Sequence, residues 1–289
     1  MTEHVLTLSC PDRPGIVAAV SGALADRNGN IVESQQYGDP ATSRFFMRVQ
    51  FTLPASGPAG GAGDGPADVR SSLAGLAAEL HLEWDLYDTA VRPRVLILVS
   101  RAGHCLNDLL YRQRSGQLGI DIVAVVSNHP DLRPLTQTHG IDYHHLPVTD
   151  ETRAAQEAEI LTLVTHYRAD FVVLARYMQV LTDGLCGKLQ GRVINIHHSF
   201  LPGFKGSRPY HQAHARGVKL IGATAHYVTG DLDEGPIIEQ EVARVDHSQG
   251  PAALMAVGRD TECLALARAV RWHAEHRVLL NGAKTVVFR

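Results

Sequence analysis

Val95-Leu-Ile-Leu-Val99 is the stretch that decides the fold of this 289-residue chain, because a short, continuous apolar run is typical of a strand buried on both faces of a parallel sheet. Similar runs recur at Ile120–Ser127, Phe171–Ala175 and Val193–Ile196. The segments between them are long enough for helices, notably Asp150–Arg168. Strands that alternate with helices predict an α/β domain built on a doubly wound, mainly parallel sheet.

A second, smaller domain is predicted ahead of this sheet, with the division at 1–88 and 89–289. Inside the first domain, the glycine-rich run Pro54–Pro66 is predicted to be a flexible loop, because it carries neither helical nor strand periodicity. The elements predicted in this domain have the order βαββαβ of a ferredoxin-like fold. They are strands at Val5–Leu8, after Asn28, at Arg44–Leu53 and at Leu82–Tyr87, and helices at Gly15–Asp26 and Val69–Glu79.

The composition excludes several classes of protein. Lys and Arg number 27 against 30 Asp and Glu, so the net charge of −3 lacks the positive field that binding to nucleic acid requires. No leader-like start and no apolar run of about 18 residues is present, so we expect a protein that is neither secreted nor membrane-bound. The 4 widely spaced cysteines predict neither disulfides nor a thiolate zinc site, and they favour the reducing cytoplasm.

The side chains that indicate chemistry follow the fourth apolar run. Asn195 and His197 are two residues apart, so they lie on one side of a strand at its carboxyl end, where open parallel sheets bind ligands. Asp233 lies in a later turn. An amide, an imidazole and a carboxylate together suit attack on a carbonyl group. Each also has a simpler explanation, as a turn residue or a buried core histidine, and spacing alone does not bring Asp233 to His197.

Four motifs of the second domain resemble the formyltransferase-fold family, which handles 10-formyltetrahydrofolate. The resemblance covers residues 94 to about 245. It implies that Asn195, His197 and Asp233 are catalytic, that 10-formyltetrahydrofolate is the substrate, and that no cofactor is needed. The motifs are Asn195-Ile-His-His-Ser-Phe-Leu-Pro202, Phe204-Lys-Gly-Ser207, Gly222-Ala-Thr-Ala-His-Tyr-Val228 and Asp231-Leu-Asp-Glu-Gly-Pro-Ile-Ile238.

A metal site is the alternative that the 16 histidines raise. They include the pairs His144-His145 and His197-His198. No His-x-x-x-His pattern with a carboxylate appears on a predicted helix, however, and the proposed oxyanion donors are an amide and an imidazole. We therefore predict catalysis without a metal.

The same resemblance places the folate between the loop after Phe171–Ala175 and the turn Asp231–Gly235. Gln179 departs from the family pattern, since relatives commonly have Arg there, and this puts its side chain's contact with folate in doubt. Met178, Val180 and Leu181 also fit the core-facing start of a helix, and both interpretations can hold together. The folate-binding residues implied are Met178, Gln179, Val180, Leu181, Asp231 and Leu232.

The first domain resembles the ACT domain, a small regulatory module, in Ser9-Cys-Pro-Asp-Arg-Pro-Gly-Ile-Val-Ala18 and Asn28-Gly-Asn-Ile-Val32. Between Asp12 and Gly15, backbone N–H groups at a helix start suit the carboxylate of an amino-acid effector. The alternative is that Asp12 caps the helix and Gly15 only eases the turn. The exposed edge of such a sheet predicts a homo-oligomer.

An ACT domain ahead of a formyltransferase fold resembles the formyltetrahydrofolate deformylases, over essentially the whole chain. This implies hydrolysis to formate and tetrahydrofolate, which supplies formate and balances the one-carbon pool for purine synthesis. Related glycinamide ribonucleotide transformylases have a Gly-x-Gly-Ser-Asn phosphate loop where this chain has Ser100-Arg-Ala-Gly-His-Cys105, which favours water as the acceptor. Two alternatives stay open: formyl transfer to an amine, and a catalytically silent amino-acid sensor.

Overall fold

The structure is a computed structural model that describes residues 1–54, 65–201 and 209–289. Most of the glycine-rich run and the whole of the Phe204–Ser207 motif lie outside the described residues, so the loop predicted there is not described. The chain forms two compact units. Unit 1 contains Met1–Val91, Glu275–Leu279 and Val286–Arg289, and unit 2 contains Arg92–Ala274 and Leu280–Thr285.

Unit 1 is built on a four-stranded sheet in the order β2-β3-β1-β4, in which neighbouring strands are antiparallel. This confirms the predicted βαββαβ order. The apolar face of α1, formed by Ile16, Val20 and Leu24 at a spacing of four, is buried against strand residues such as Leu6 and Phe51. The elements are β1 (Thr2–Pro11), α1 (Ile16–Ala25), β2 (Asn30–Asp39), β3 (Arg44–Leu53), α2 (Pro66–Leu80) and β4 (Glu83–Asp88).

Unit 2 contains a seven-stranded sheet in the order β11-β10-β9-β8-β5-β6-β7. Strands β5 to β9 are parallel, whereas β10 runs antiparallel to both β9 and β11, so the predicted mainly parallel sheet is confirmed. The strands are β5 (Arg94–Val99), β6 (Asp121–Ser127), β7 (Asp142–His145), β8 (Phe171–Leu174), β9 (Val193–His197), β10 (Leu220–Tyr227) and β11 (Ile237–Arg244). The helices are α3 (His104–Arg114), α4 (Arg133–Gln137), α5 (Arg153–His166), α6 (Asp183–Lys188), α7 (Pro209–Arg216) and α8 (Pro251–Ala274).

The strand order reverses between β5 and β8. From β5 the chain builds β6 and β7 on one side, and then returns to place β8 and β9 on the other. Apolar side chains such as Leu96, Val126 and Val172 are fully buried beneath the helices, as their continuous apolar runs predict. Ligands of such sheets bind beyond the carboxyl ends of the strands beside this reversal, the switch point.

The C-terminal segment differs from the predicted helical tail over Pro251–Leu280. Helix α8 ends at Ala274, and β12 (Val278–Asn281) and β13 (Lys284–Val287) form a two-stranded sheet. The dipeptide Asn281-Gly282, at the end of β12 and the start of the turn, with a φ of 60° at the glycine, is the signal for a hairpin turn that the helical interpretation overlooked. Residues 275–279 and 286–289 belong to unit 1, so the chain returns to this unit at its C-terminal end. The predicted division between residues 88 and 89 does not include this return.

No helix within the described ranges is both long enough and apolar enough to cross a membrane.

Candidate active site

The end of β9 carries Asn195 and His197, and β10 lies beside it. In the antiparallel register of these strands, Asn195 is opposite His226 and His197 is opposite Thr224. Because alternate residues of a strand share a face, Asn195 and His197 both line one cavity, as their spacing predicts. Strand pairing thus brings a second histidine, His226, to the same place.

Asp233 reaches His197 through the turn after β10. Its Oδ2 lies 3.1 Å from Nδ1 of His197, which confirms that tertiary folding joins two groups distant in sequence. Asp233 has a left-handed backbone, with a φ of 58°, which Asp and Asn tolerate better than most residues. A Cβ at Gly235 would collide with the carbonyl oxygen of Tyr227, so glycine lets the turn pack closely against the end of β10.

The electrostatic environment keeps Asp233 ionised. The hydrogen bond from His197 first, and then the neighbouring imidazole of His226, lower the pKa of the Asp233 carboxyl well below its usual range, and together they outweigh burial, which acts to raise it. Oδ1 of Asp233 is 3.7 Å from Nε2 of His226. The site therefore contains a half-buried carboxylate between two imidazoles.

His226 fixes the orientation of the Asn195 amide. Nδ1 of His226 is 2.9 Å from the carbonyl oxygen of Tyr227, so this nitrogen carries the hydrogen and donates it. In the neutral ring Nε2 is then the acceptor, and Nδ2 of Asn195, 3.1 Å away, donates to it. The second N–H of the amide remains for a ligand. His226 lies within one of the four sequence motifs but had no predicted role; its register opposite Asn195 is the signal that identifies it.

The two ring nitrogens of His197 both have partners. Nδ1 faces Asp233, and Nε2 is 2.8 Å from Oγ of Ser199. His198 stacks on His197 with 4.9 Å between ring centroids. Burial first, and then the charge of Arg176, lower the pKa of His198 to about 4, so this ring is neutral at pH 7.

A cavity of about 280 Å³ joins the catalytic candidates to the predicted folate residues. The three catalytic candidates line it, and so do Met178, Gln179, Val180, Leu181, Asp231 and Leu232. The structure thus brings together all nine residues that the sequence singled out in this domain, although their individual roles stay predictions.

The alternative of a core-facing helix start is wrong for two of these residues. Met178 and Val180 are 59% and 54% exposed, and they lie in an irregular segment before α6, which begins only at Asp183. Leu181 is buried and belongs to the core. Exposed apolar side chains beside a cavity are available for a flat, partly apolar ligand.

The N-terminal candidates, Asp12 and Gly15, lie before α1. Gly15, with a φ of 94°, is the N-cap residue, and no side chain caps the helix, so the alternative that Asp12 is the cap is wrong. Gly15 and the first turn of α1 line an open cavity of about 520 Å³. Asp12 is not one of its lining residues and instead lies against Gly38.

A separate group in the described part of unit 2 has the donor atoms of a metal site. One ligand atom from each of His104, Cys105 and Glu262 lies within 4.8 Å of the others. This group does not include Asn195, His197 or Asp233.

Comparisons with known proteins agree on both domains. The sequence model of the formyl transferase family matches residues 93–270, and that of the ACT domain matches residues 4–56. The chain is 52% identical to a formyltetrahydrofolate deformylase of Corynebacterium sp. (strain P-1), over 99% of this chain and 98% of the relative.

Solved structures give the same result. The crystal structure of a formyltetrahydrofolate deformylase from Burkholderia mallei ATCC 23344 is 52% identical, with a TM-score of 0.93 and 100% coverage of both chains. Glycinamide ribonucleotide transformylase 1 from Symbiobacterium toebii is 30% identical, with a TM-score of 0.65, and covers 71% of this chain and 98% of its own. The similarity to the deformylases extends over both units, whereas that to the transformylase covers only part of the chain.

Proposed function

The chain belongs to the formyltetrahydrofolate deformylase family, and we propose that its active site hydrolyses 10-formyltetrahydrofolate to formate and tetrahydrofolate with water as the formyl acceptor. The observation that carries the mechanism is the ionised Asp233, held at the cavity by His197 and His226. A carboxylate in this position serves as the base that hydrolysis requires.

The first step is attack of water on the N10-formyl carbon. Asp233 accepts a proton from the water, while the C=O bond becomes a C–O⁻ bond. The free N–H of the Asn195 amide donates to that oxyanion, because its other N–H is held by His226. A donor aimed at a developing oxyanion contributes about 3 kcal/mol to transition-state stabilisation.

The second step breaks the bond between the formyl carbon and N10. Nε2 of His197, once it exchanges the hydroxyl of Ser199 for the substrate, gives a proton to N10 as the C–N bond breaks. Asp233 then releases to the solvent the proton that it took from water, and Nε2 of His197 takes up a proton again, which restores both groups for the next turnover. Atoms and charge balance, because formic acid and the secondary amine form and the acid then ionises.

The folate ring is assigned to the cavity between Met178–Leu181 and Asp231–Leu232. The exposed side chains of Met178, Val180 and Leu232 offer apolar surface for a flat ring, and the loop backbone offers hydrogen-bonding groups. The ring would then lie across the opening of the cavity, with N10 toward Asn195.

The direct experiment mixes the pure protein with 10-formyltetrahydrofolate, without an amine acceptor, and measures formate. Release of formate with each turnover is expected. Asn195→Asp keeps the shape of the side chain but loses the N–H donors, so kcat should fall about 100-fold. Turnover that starts only when an amine is added would instead indicate a transferase, and no turnover at all would indicate a sensor.

We also propose the compartment, the metabolic role and the oligomeric state of this protein. We assign the reaction to the cytoplasm, which the four free thiols favour, and to the balance of one-carbon units for purine synthesis.

A homo-oligomer is proposed through β2, an edge strand with Val32 57% and Tyr37 46% exposed, because such edges offer unpaired backbone groups. Light scattering should then give a mass of at least two chains.

Regulation by an amino acid is proposed for the cavity beside Gly15. Glycine and methionine are the effectors to titrate, because they report on supply of and demand for one-carbon units. A coupling of about 1–3 kcal/mol changes the rate from several-fold to about a hundred-fold. The expected result is a change in initial rate with one or both amino acids.

Two variants of α1 locate this effect. Ser21→Phe fills the cavity, because Ser21 lines it, and should abolish the response. Gly22→Ala lies on the same helix, where an added Cβ meets nothing within 4 Å, and should respond like the wild type. The effector proposal is wrong if neither amino acid alters the wild-type rate or if Ser21→Phe responds unchanged.

A further inference from the structure

The segment of residues 177–182 is irregular, yet side chains of other elements hold it at four points. It lies between β8 and α6 and contributes Met178–Leu181 to the lining of the active-site cavity. Backbone groups that have no helix or strand partner need other hydrogen-bond partners where water is excluded. Residues 177–182 are called the folate segment below.

Helix α5 supplies three of these contacts from one face. Arg153, Gln156 and Glu157 are spaced i, i+3 and i+4, so their side chains leave the helix on the same side. Nη1 of Arg153 donates to the carbonyl oxygen of Val180 over 2.8 Å. The hydroxyl of Tyr177 donates to Oε1 of Gln156 over 3.2 Å. The helix therefore holds the folate segment at its first residue and near its middle.

Glu157 holds the other end of the folate segment through both of its carboxyl oxygens. Oε1 accepts the backbone N–H of Thr182 over 2.8 Å, and Oε2 accepts the Thr182 hydroxyl. Thr182 is also the N-cap residue of α6, where its hydroxyl oxygen accepts from the backbone N–H of Leu185. The Glu157 carboxyl group thus fixes the point at which the irregular segment ends and α6 begins.

The large sheet supplies the fourth contact. Oγ of Ser100, which directly follows β5, accepts the backbone N–H of Met178 over 3.0 Å. The Ser100 hydroxyl in turn donates to Oδ1 of Asn128 over 2.8 Å, which leaves its oxygen free to accept. The folate segment is therefore tied both to the sheet and to α5.

Glu157 is 7% exposed, and a buried carboxyl group is costly, so packing alone would favour an apolar side chain at this position. A ligand site on an irregular segment is precise only when rigid neighbours fix its backbone.

We propose that Glu157 is a positioning residue for folate binding: through Thr182 it holds the folate segment in the arrangement that receives the folate ring. The segment is then ordered before the substrate arrives, so the binding free energy is not reduced by the cost of ordering it. This inference rests on the proposed function and adds a residue that acts on the substrate only through its neighbours.

The test separates KM from kcat. If the folate segment is correctly arranged in only a fraction of the molecules, the apparent affinity falls by that fraction, while bound substrate still turns over at the normal rate. Glu157→Ala should therefore raise KM for 10-formyltetrahydrofolate at least about tenfold and change kcat less than about threefold. A purely structural role would instead leave fewer active molecules, which lowers kcat at an unchanged KM.

Three further variants complete the test. Glu157→Gln keeps a side-chain oxygen for the backbone N–H of Thr182, so its KM should stay within about threefold of the wild type. Glu159→Ala, the matched control, removes a carboxyl group from the exposed face of the same helix and should match the wild type in both constants. If Glu157→Ala does not fold, Thr182→Ala carries the test: it removes the hydroxyl that Glu157 accepts, at an exposed residue, and should raise KM at least about threefold.

Isothermal titration calorimetry with tetrahydrofolate makes the same comparison without turnover, and Glu157→Ala should bind it at least about tenfold more weakly than the wild type. The proposal is overturned if Glu157→Ala keeps the wild-type KM and Kd, if only kcat falls, or if Glu159→Ala loses as much affinity. A wild type that binds tetrahydrofolate but releases no formate would refute the proposed function and still allow this comparison. A wild type without affinity for tetrahydrofolate would overturn both.

Discussion

Asp233 and Glu262 are both carboxylates held by a histidine in unit 2, yet their surroundings differ. Asp233 lies in a turn, and its side chain, 18% exposed, lines the active-site cavity. The Glu262 side chain is 2% exposed on a long helix, its two oxygens are hydrogen-bonded to His104 and Tyr210, and it forms an ion pair with Arg176. The same chemical group therefore faces a cavity in one place, where we propose that it takes a proton from water, and is enclosed by protein side chains in the other.

The most direct test of this difference replaces the carboxylate by an amide at both positions. Asp233→Asn should lower kcat at least about 100-fold, because the amide cannot accept the water proton, while Asn tolerates the φ of 58°. Glu262→Gln should lower kcat less than about tenfold, because Glu262 does not touch the reacting atoms. Initial rates of formate release measure both, and falls of equal size would show that the two carboxylates share one role.

The loss of stability should rank the two variants in the opposite order, with the larger loss for Glu262→Gln. Glu262→Gln leaves the charge of Arg176 uncompensated in a buried place, so the free energy of unfolding should fall by about 3 kcal/mol. Asp233→Asn removes hydrogen bonds at a partly exposed site and should cost about 1 kcal/mol. Urea unfolding followed by circular dichroism tests the ranking, and a larger loss for Asp233→Asn would contradict it.

The pH dependence of stability sharpens that ranking. Both carboxyl groups have a pKa below the ordinary value in the folded chain, so each stabilises the fold above the ordinary carboxyl pKa of about 4. This stabilisation is lost as the pH falls through the folded-state pKa. Unfolding curves should therefore show the gap between wild type and Glu262→Gln in full at pH 7 and shrinking below about pH 4. A gap that widens on acidification would mean that Glu262 is protonated in the fold.

The smallest effect is expected from metal removal. The group of His104, Cys105 and Glu262 has metal-binding donor atoms, but the oxygens of Glu262 already accept from protein donors, and the catalytic candidates lie outside the group. Incubation with EDTA should leave the rate of formate release unchanged. A loss of activity that zinc restores would instead identify the group of His104, Cys105 and Glu262 as a metal centre.

The sequence predicted most of the sheet architecture, because buried parallel strands require apolar runs such as Val95–Val99 and because Arg44–Leu53 alternates as a half-buried strand does. It missed the strands after Ala274, where a hairpin signal followed a long helical pattern. Local periodicity describes each element well and gives little information about where a helix ends.

Within the site, the sequence alone determined that Asn195 and His197 share a face, because that follows from the two-residue period of a strand. Only the tertiary structure decided that Asp233 meets His197, that His226 orients Asn195, and that Glu262 meets His104 and Arg176. These contacts join residues far apart along the chain, and they depend on strand register and helix packing. No local pattern encodes such distances, because the free energy that fixes them comes from burial of the whole sheet.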